Sequence, residues 1–192
     1  MPQQLILENI AKHISLSQEQ ETYFLSRLEN KKIRKKHFLS QEGDLSKGPV
    51  FVLQGILRSY TVDQGGLEHV LQFAPPGWWM ADMFSLVTNQ PGTLSIDAIE
   101  SADVLLLPKK ALDHLYQELP VFERFFRILA ENALVTFQQR LMDSLSLNAR
   151  ERYSNFCRLY PSLIERLPQK QVASFIGVTP EFLSKMLKQK NA

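Results

Sequence analysis

The chain has 192 residues, of which 44% are apolar and 22% charged. These values are ordinary for a soluble globular protein and allow one large domain or two small ones. No apolar run is long enough to cross a bilayer, and residues 1–13 lack the basic start and apolar stretch of a signal peptide. The single cysteine, Cys157, excludes an internal disulfide and a cluster held by four thiolates of one chain, so we expect a cytoplasmic protein.

Charge divides unevenly along the chain, although the formal net charge is only +2. Residues 146–192 carry eight Lys or Arg against three acids, whereas residues 1–145 carry 14 against 17. A basic tail behind a mildly acidic body is typical of a protein whose tail meets a polyanion. An ordinary solvated surface is the alternative, so charge alone does not decide for nucleic acid.

The first part of the chain predicts a helix followed by short strands. Apolar residues recur at helical spacing over residues 5–30. Beyond Lys31, short apolar runs alternate with turns such as Gln64-Gly65-Gly66, whose glycines tolerate the positive φ of a hairpin. The predicted strands cover residues 51–53, 56–62, 68–73, 93–99 and 104–107. Many short strands separated by turns predict an antiparallel barrel or jelly roll.

A long helix is predicted over residues 119–145. Helical spacing resumes after Lys109, and Pro120 stands where proline can begin a helix. At 1.5 Å per residue this helix would be about 40 Å long, with a wide apolar stripe. The stripe favours packing on a second copy of the chain, because the helix overreaches a small barrel. A helix buried against its own domain is the alternative.

The sharpest signal is a predicted helix-turn-helix near the end of the chain. Residues 169–176 predict a short helix with one apolar face. Gly177 is placed to end that helix in the left-handed conformation, and Val178 to tuck between the two helices. Thr179 can cap the second helix, with Pro180 at its first position.

The second helix has an apolar side and a polar, basic side. Leu183, Met186 and Leu187 form the predicted buried side. The opposite side suits a major groove, because lysine can donate to guanine or phosphate and glutamate can accept from cytosine. The predicted DNA-contacting residues are Gln169, Lys170, Thr179, Pro180, Glu181, Ser184, Lys185 and Lys188. The alternatives are a dipole-matching role for Glu181 and a solvated face for the lysines.

These motifs resemble the Crp/Fnr family of bacterial transcription regulators over nearly the whole chain. The helix-turn-helix is one part of this resemblance. The family's early barrel strands resemble Glu42-Gly43-Asp44 and residues 50–60, and the helix that leads into its helix-turn-helix resembles residues 148–153. The resemblance implies an α+β fold. It has a cyclic-nucleotide-binding-type jelly roll over residues 1–118, a dimerisation helix over 119–147 and a winged-helix-like helix-turn-helix domain over 148–192.

The same resemblance implies a homodimer that binds an inverted-repeat operator in double-stranded DNA, with RNA polymerase as a further partner. Members often have arginine where this chain has Pro180, so the base preference should differ.

The sensor pocket departs from the family pattern, which has Gly-Glu-Leu and, further on, an arginine that pairs with a cyclic phosphate. The aligned positions form the candidate effector pocket: Ala81, Asp82, Met83, Gly92 and Thr93. A phosphate without a cation loses a charge-assisted pair, so we expect weak or no binding of cyclic AMP and assign no effector or cofactor. The neighbouring aromatic residues are expected to be core, with stacking on another ligand as the alternative: Trp78, Trp79 and Phe84.

Two other classes of protein stay open at this point. A metal-dependent jelly-roll enzyme needs clustered ligands, whereas the four histidines are scattered and only His69, beside Glu68, is a conceivable ligand. The sequence has no phosphate-cradling glycine loop and no nucleophile elbow, so we expect no enzyme and no metal site. The second class is a ligand-binding module that acts through a protein partner, which the polar face of the last helix disfavours.

Overall fold

The computed structural model describes residues 2–189, so residues 1 and 190–192, at the outer ends of the first and last predicted segments, lie outside it. The fold is α+β, as predicted, with an antiparallel sheet flanked by helices. The strands are β1 (Glu29–Ile33), β2 (Phe38–Ser40), β3 (Val50–Val62), β4 (Glu68–Ala74), β5 (Trp79–Met80) and β6 (Ser95–Leu106). The helices are α1 (Pro2–Ala11), α2 (Gln18–Ser26), α3 (Met83–Thr88), α4 (Lys109–Glu118), α5 (Val121–Ser146), α6 (Ala149–Leu159), α7 (Gln169–Ile176) and α8 (Pro180–Lys188).

The sheet is built around the two longest strands, β3 and β6. Its order is β1-β6-β3-β4, with β2 also paired to β6 and β5 to β3, all antiparallel. Val50 faces Leu106 at one end of the central pair, and Tyr60 faces Ser95 at the other. This register leaves β4 at an edge of the sheet, where the last helices approach it.

Two predicted breaks within strands are wrong. The sequence predicts breaks at residues 54–55 and 100–103, whereas β3 and β6 run through them. At Gly55 φ is +83°, and an added Cβ would lie 2.3 Å from the carbonyl oxygen of Ser101, so glycine lets β3 bulge instead of ending. β6 continues through its polar stretch because β1 and β3 pair with it on both sides.

The single helix predicted over residues 5–30 is also wrong, because two helices occupy that region. Ser17 starts the second one: its Oγ accepts from the N–H of Gln20 at 3.3 Å, and Gln20 Oε1 accepts from the N–H of Ser17 at 2.9 Å. From Glu29 onward the chain pairs with β6 instead of extending the helix. The elements β1, β2, β5 and α3 are missing from the prediction, since they are too short for a periodic pattern.

Three apolar clusters hold the fold together. One lies on the face of the sheet that contains Val52. On the opposite face, a second cluster packs α1, α2 and the start of α5, with the rings of Phe24 and Phe122 4.8 Å apart. The third joins the sheet to the last helices, and the rings of Phe73 on β4 and Phe175 on α7 are 5.5 Å apart. The sheet and the helix-turn-helix therefore share one continuous core.

The long helix α5 lies close to its predicted bounds. Phe122 and Phe125 near its start are buried, whereas Leu134, Leu141 and Leu145 are 57%, 61% and 80% exposed. The second half of α5 thus presents an apolar stripe that the described part of the chain leaves uncovered. Among the described residues, no helix combines the length and apolar character needed to cross a membrane.

Candidate nucleic-acid interface and sensor pocket

The turn after α7 has the geometry that the sequence predicts. Gly177 has φ +71° and ψ +46°, the left-handed conformation that ends a helix. The N–H of Val178 then donates to the carbonyl oxygen of Ala173 at 3.0 Å, and the Val178 side chain packs against the shared core. The predictions for the end of α7 and for the turn are confirmed.

Helix α8, which we term the reader helix, also begins as predicted. Thr179 Oγ1 accepts from the N–H of Phe182 at 3.2 Å, with Pro180 in the first turn. Leu183 and Met186 are buried in the core shared with α7. The opposite side forms a shallow exposed surface, which we term the reader surface. It is lined by Pro180, Glu181, Ser184, Lys185, Lys188 and Gln189.

The reader surface brings together five of the eight predicted DNA-contacting residues. The other three, Gln169, Lys170 and Thr179, are exposed but lie at the starts of α7 and α8. Sequence reasoning missed Gln189, although it follows Lys185 by four positions and therefore falls on the same helical face.

Hydrogen bonds hold α7 on the edge strand β4. Ser174 Oγ donates to the carbonyl oxygen of Glu68 at 2.6 Å and accepts from the N–H of Val70 at 2.9 Å. From α5, the Arg140 guanidinium donates to the carbonyl oxygens of Val70 and Phe175 at 2.7 and 2.8 Å. These contacts satisfy backbone groups of an edge strand and tie the long helix, the sheet and α7 together.

A buried arginine extends this contact into the sheet. Arg58 on β3 donates to both carboxylate oxygens of Asp97 at 2.8 Å and to Glu68 Oε2 at 2.6 Å. The same guanidinium donates to Gln171 Oε1 on α7 at 2.5 Å. Sequence analysis places Arg58 only within a barrel strand, because its partners are distant in the chain.

The charges in this cluster support one another. Burial opposes the charge on Arg58, but the hydrogen bonds to Asp97 and Glu68 outweigh it and raise the pKa of Arg58. The hydrogen bond from Arg58 in turn lowers the pKa of the Glu68 carboxyl, against the opposing effect of its partial burial. Both groups are therefore charged at neutral pH.

The candidate effector pocket is organised around Asp82, which is buried. Its Oδ1 accepts from the N–H of Ser85 at 3.1 Å, and its Oδ2 accepts from the N–H groups of Thr93 and Leu94 at 2.9 and 3.0 Å. Gly92 lies against the carboxylate, since an added Cβ would come within 2.6 Å of Oδ2. Asp82 thus takes up backbone donors that a bound anion would otherwise use.

The five predicted pocket residues do not line one cavity. Ala81 and Asp82 line a cavity of about 480 Å³ beneath β1 and β2. Met83 is 51% exposed, and Thr93 also turns its side chain to solvent. Only the backbone of Thr93, with Gly92, meets Asp82.

The aromatic residues beside this pocket have different environments. Trp78 packs on Tyr160 with ring centroids 5.2 Å apart, and Trp79 on Phe51 at 5.2 Å, so both take part in core packing. Phe84 is 48% exposed, and its expected place in the core is wrong because that side of α3 faces outward.

His69, which the sequence offers as a conceivable metal ligand, has its ring nitrogen in contact with a carboxylate. Its Nε2 lies 2.7 Å from Asp63 Oδ2, and both side chains are exposed. Among residues 2–189 there is no group of three or more side chains arranged to hold a metal ion.

Comparison with known proteins places these features in a family. Residues 30–118 match the model of the cyclic nucleotide-binding domain. The chain is 26% identical over 172 residues to the anaerobic regulatory protein of Aggregatibacter actinomycetemcomitans, covering 83% of this chain and 66% of the relative. It is 23% identical over 185 residues to the regulatory protein HlyX of Actinobacillus pleuropneumoniae, covering 90% and 76%.

Solved structures share the fold. The c-di-GMP responsive global regulator CLP of Xanthomonas campestris superposes with a TM-score of 0.74 at 14% identity, covering 91% of this chain and 92% of CLP. FixK2 from Bradyrhizobium japonicum gives a TM-score of 0.72 at 20% identity, covering 84% and 83%.

The fold and the matches define a protein that joins a cyclic-nucleotide-binding-type domain to a helix-turn-helix. Residues 30–118 match the cyclic nucleotide-binding domain, and the chain as a whole is similar to regulatory proteins of the Crp/Fnr type. It spans about two thirds of the length of the first of the curated relatives it matches.

Proposed function

We propose that this protein is a DNA-binding transcription regulator and not an enzyme. The observation that supports this function best is the surface of the reader helix, which is polar and basic on one side while Leu183 anchors the other. An α-helix fits the major groove of B-DNA, where Lys185, Ser184 and Glu181 have the chemistry to contact base edges. Gln169, Lys170 and Thr179, at the helix starts, suit phosphate contacts. Relatives named as regulatory proteins support the same proposal.

The regulator acts as a homodimer joined along α5. Leu134 and Leu141 stand seven positions apart, Leu145 follows four further on, and all three are exposed in the single chain. A seven-residue spacing of this kind is the seam of two supercoiled helices. Two reader helices related by a two-fold axis require an inverted repeat whose half-sites lie about 34 Å apart. RNA polymerase is the further partner of the DNA-bound dimer, in the cytoplasm.

The sensor domain controls DNA binding by the reader helix, and it does so without binding cyclic AMP in the usual way. The aligned pocket positions supply no arginine, and Asp82 brings a negative charge to the backbone donors beside Gly92. A phosphate placed there would meet a carboxylate and lose donors at the same time. We assign no effector or cofactor.

Binding to duplex DNA across a salt series tests the function. A protein that neutralises several phosphates binds with an affinity that falls steeply as salt rises. The alternative, a ligand-binding module that acts through a protein partner, predicts no detectable binding even at low salt. That result, obtained with a folded dimer, would remove the regulator proposal.

A further inference from the structure

The reader helix carries an exposed aromatic side chain that belongs to neither of its two predicted sides. Phe182 is 52% exposed and lies outside the core that Leu183 and Met186 enter. Among the described residues 169–189, no other large apolar side chain is exposed to that degree. Single exposed apolar residues are common on protein surfaces, so exposure alone does not assign a partner to Phe182.

The place of Phe182 on the helix is more informative than its exposure. Lys185 follows it by three positions and Gln189 by seven, and both of these residues line the reader surface. At 3.6 residues per turn, seven positions return almost to the same side of a helix. Phe182 therefore lies at the edge of the reader surface, between that surface and the buried side around Met186.

The local structure holds Phe182 in the first turn of α8. Its N–H donates to Thr179 Oγ1 at 3.2 Å, and Pro180 occupies the first turn with it. The next residue, Leu183, is completely buried and so fixes the rotation of the helix about its axis. In a helix-turn-helix, the first residues of the second helix are the ones that reach base edges. Phe182 thus belongs to the part of the helix that meets the bases.

The chemistry of a phenyl ring restricts what Phe182 can recognise in a major groove. The ring has no hydrogen-bond donor or acceptor, so it cannot bond to a phosphate or to the polar atoms of a base edge. The apolar group that base pairs present in the major groove is the C5 methyl of thymine, and phenylalanine is among the side chains that contact it. Such a contact removes apolar surface from water on both sides and stabilises the complex.

We propose that Phe182 recognises a thymine in each half-site of the operator through the C5 methyl group. This inference rests on the proposed DNA-binding function. It assigns Phe182 a role beside Lys185 and Glu181, whose side chains contact base edges through hydrogen bonds. The competing partner is the deoxyribose of the DNA backbone, whose carbon atoms are the same for every base.

The test removes the methyl group and nothing else. Each thymine of the operator that the wild-type protein selects from random DNA is replaced in turn by deoxyuridine, at equivalent positions of both half-sites. At one of these positions the full-length wild-type dimer should bind about 15-fold more weakly. Each lost methyl contact costs about fourfold in affinity, and the two half-sites contribute independently. Fluorescence anisotropy at one fixed salt concentration measures the affinities, since salt alone changes them.

Two variants connect the effect to Phe182. Phe182→Ala should bind the thymine and uracil operators equally well at that position, because its side chain no longer reaches the methyl group. Phe182→Leu keeps an apolar side chain and should retain part of the preference for thymine. Both changes fall on an exposed position, so both variants should keep the melting temperature of the wild type.

Phe84→Ala is the matched control. It removes a phenyl group that is 48% exposed on α3, outside the helix-turn-helix. It should keep the full preference of the wild type for thymine.

Three results would overturn the inference while the proposed function stands. The first is a selected operator without a thymine at a fixed position of each half-site, and the second is a wild type that binds every uracil operator as tightly as the thymine operator. The third is a Phe182→Ala protein that keeps the full preference for thymine. If that protein also binds both operators more weakly by the same factor, deoxyribose is the partner of the ring. If the wild type selects no sequence at all, the proposed function fails and this inference fails with it.

Discussion

The guanidinium of Arg58 donates to the side-chain oxygen of Gln171 at 2.5 Å, although the two residues lie 113 positions apart in the chain. One end of this bond belongs to the centre of the barrel sheet and the other to the first helix of the helix-turn-helix. Because Arg58 is buried and already paired with two carboxylates, the bond attaches α7 to a rigid charged cluster. The sheet and α7, the first helix of the helix-turn-helix, are thus joined by a hydrogen bond that does not involve α5.

The first prediction concerns the charged cluster itself. Arg58→Ala should lower the free energy of unfolding by about 3–5 kcal/mol, since it leaves the carboxylate of Asp97 buried without its cation. Gln171→Ala, the control, removes only the bond to α7 and should cost about 1 kcal/mol. Urea unfolding measures both values. Equal, small losses for the two variants would show that Arg58 is not the centre of the contact.

The second prediction concerns acid sensitivity. The pKa of Glu68 is lower in the folded than in the unfolded protein, so its contribution to stability is fully present above the unfolded pKa of about 4.3. That contribution is lost as pH falls through the lower folded pKa. Glu68→Gln keeps the acceptor but not the charge, so the wild type should lose stability faster than this variant below about pH 5. Parallel curves of unfolding free energy against pH would contradict the assignment.

The third prediction tests the dimer seam. Leu141→Glu puts a charge into the exposed stripe of α5 and should convert the dimer to monomers, which sedimentation velocity detects. Val87→Glu is the matched control, because Val87 is 73% exposed and lies on α3, not on α5. A Leu141→Glu protein that stays dimeric would place the interface elsewhere.

The fourth prediction concerns Gly177. Nothing lies within 4 Å of an added Cβ, so Gly177→Ala should cost only the backbone penalty of the left-handed conformation, about 1–2 kcal/mol. Gly177→Asn should cost less, since asparagine tolerates that conformation better. Thermal unfolding of the two variants shows which of them is less stable. A lower melting temperature for Gly177→Asn than for Gly177→Ala would contradict the prediction, because it would mean that the site is too tightly packed for the larger asparagine.

The fifth prediction concerns the sensor pocket. Cyclic AMP should give no change in the melting temperature of the wild type, because we expect the pocket not to bind it. A ligand that did bind the native state, present at 100 times its Kd, would stabilise the protein by about 2.7 kcal/mol and raise the melting temperature. A clear upward shift at millimolar nucleotide would show that the Asp82 carboxylate does not close the phosphate position.

The helix-turn-helix was the part of the fold that could be predicted best from the sequence, for a physical reason. Gly177 and Pro180 mark the turn through their own backbone preferences, so the bounds of α7 and the start of α8 depend on local information. The breaks predicted in β3 and β6 failed because those strands continue through long-range pairing, which outweighs a local glycine or a polar stretch.

The polar clusters around Asp82 and Arg58 could be predicted less well from the sequence. Asp82 could be aligned with a ligand-binding carboxylate, but its bonds to Thr93 and Leu94 depend on how α3 and β6 meet. The link from Arg58 to Gln171 joins segments with no common pattern in the chain. Only tertiary packing brings such residues together.

The central claim is that the exposed side of α8 reads DNA, and the most direct test is binding to the operator selected from random sequence. Lys185→Ala should weaken binding of that operator by about 1–3 kcal/mol while it leaves the fold intact, whereas Lys110→Ala should have no effect. The selected operator should be an inverted repeat. Failure to select any sequence, or equal operator affinity for wild type and Lys185→Ala, would contradict the claim.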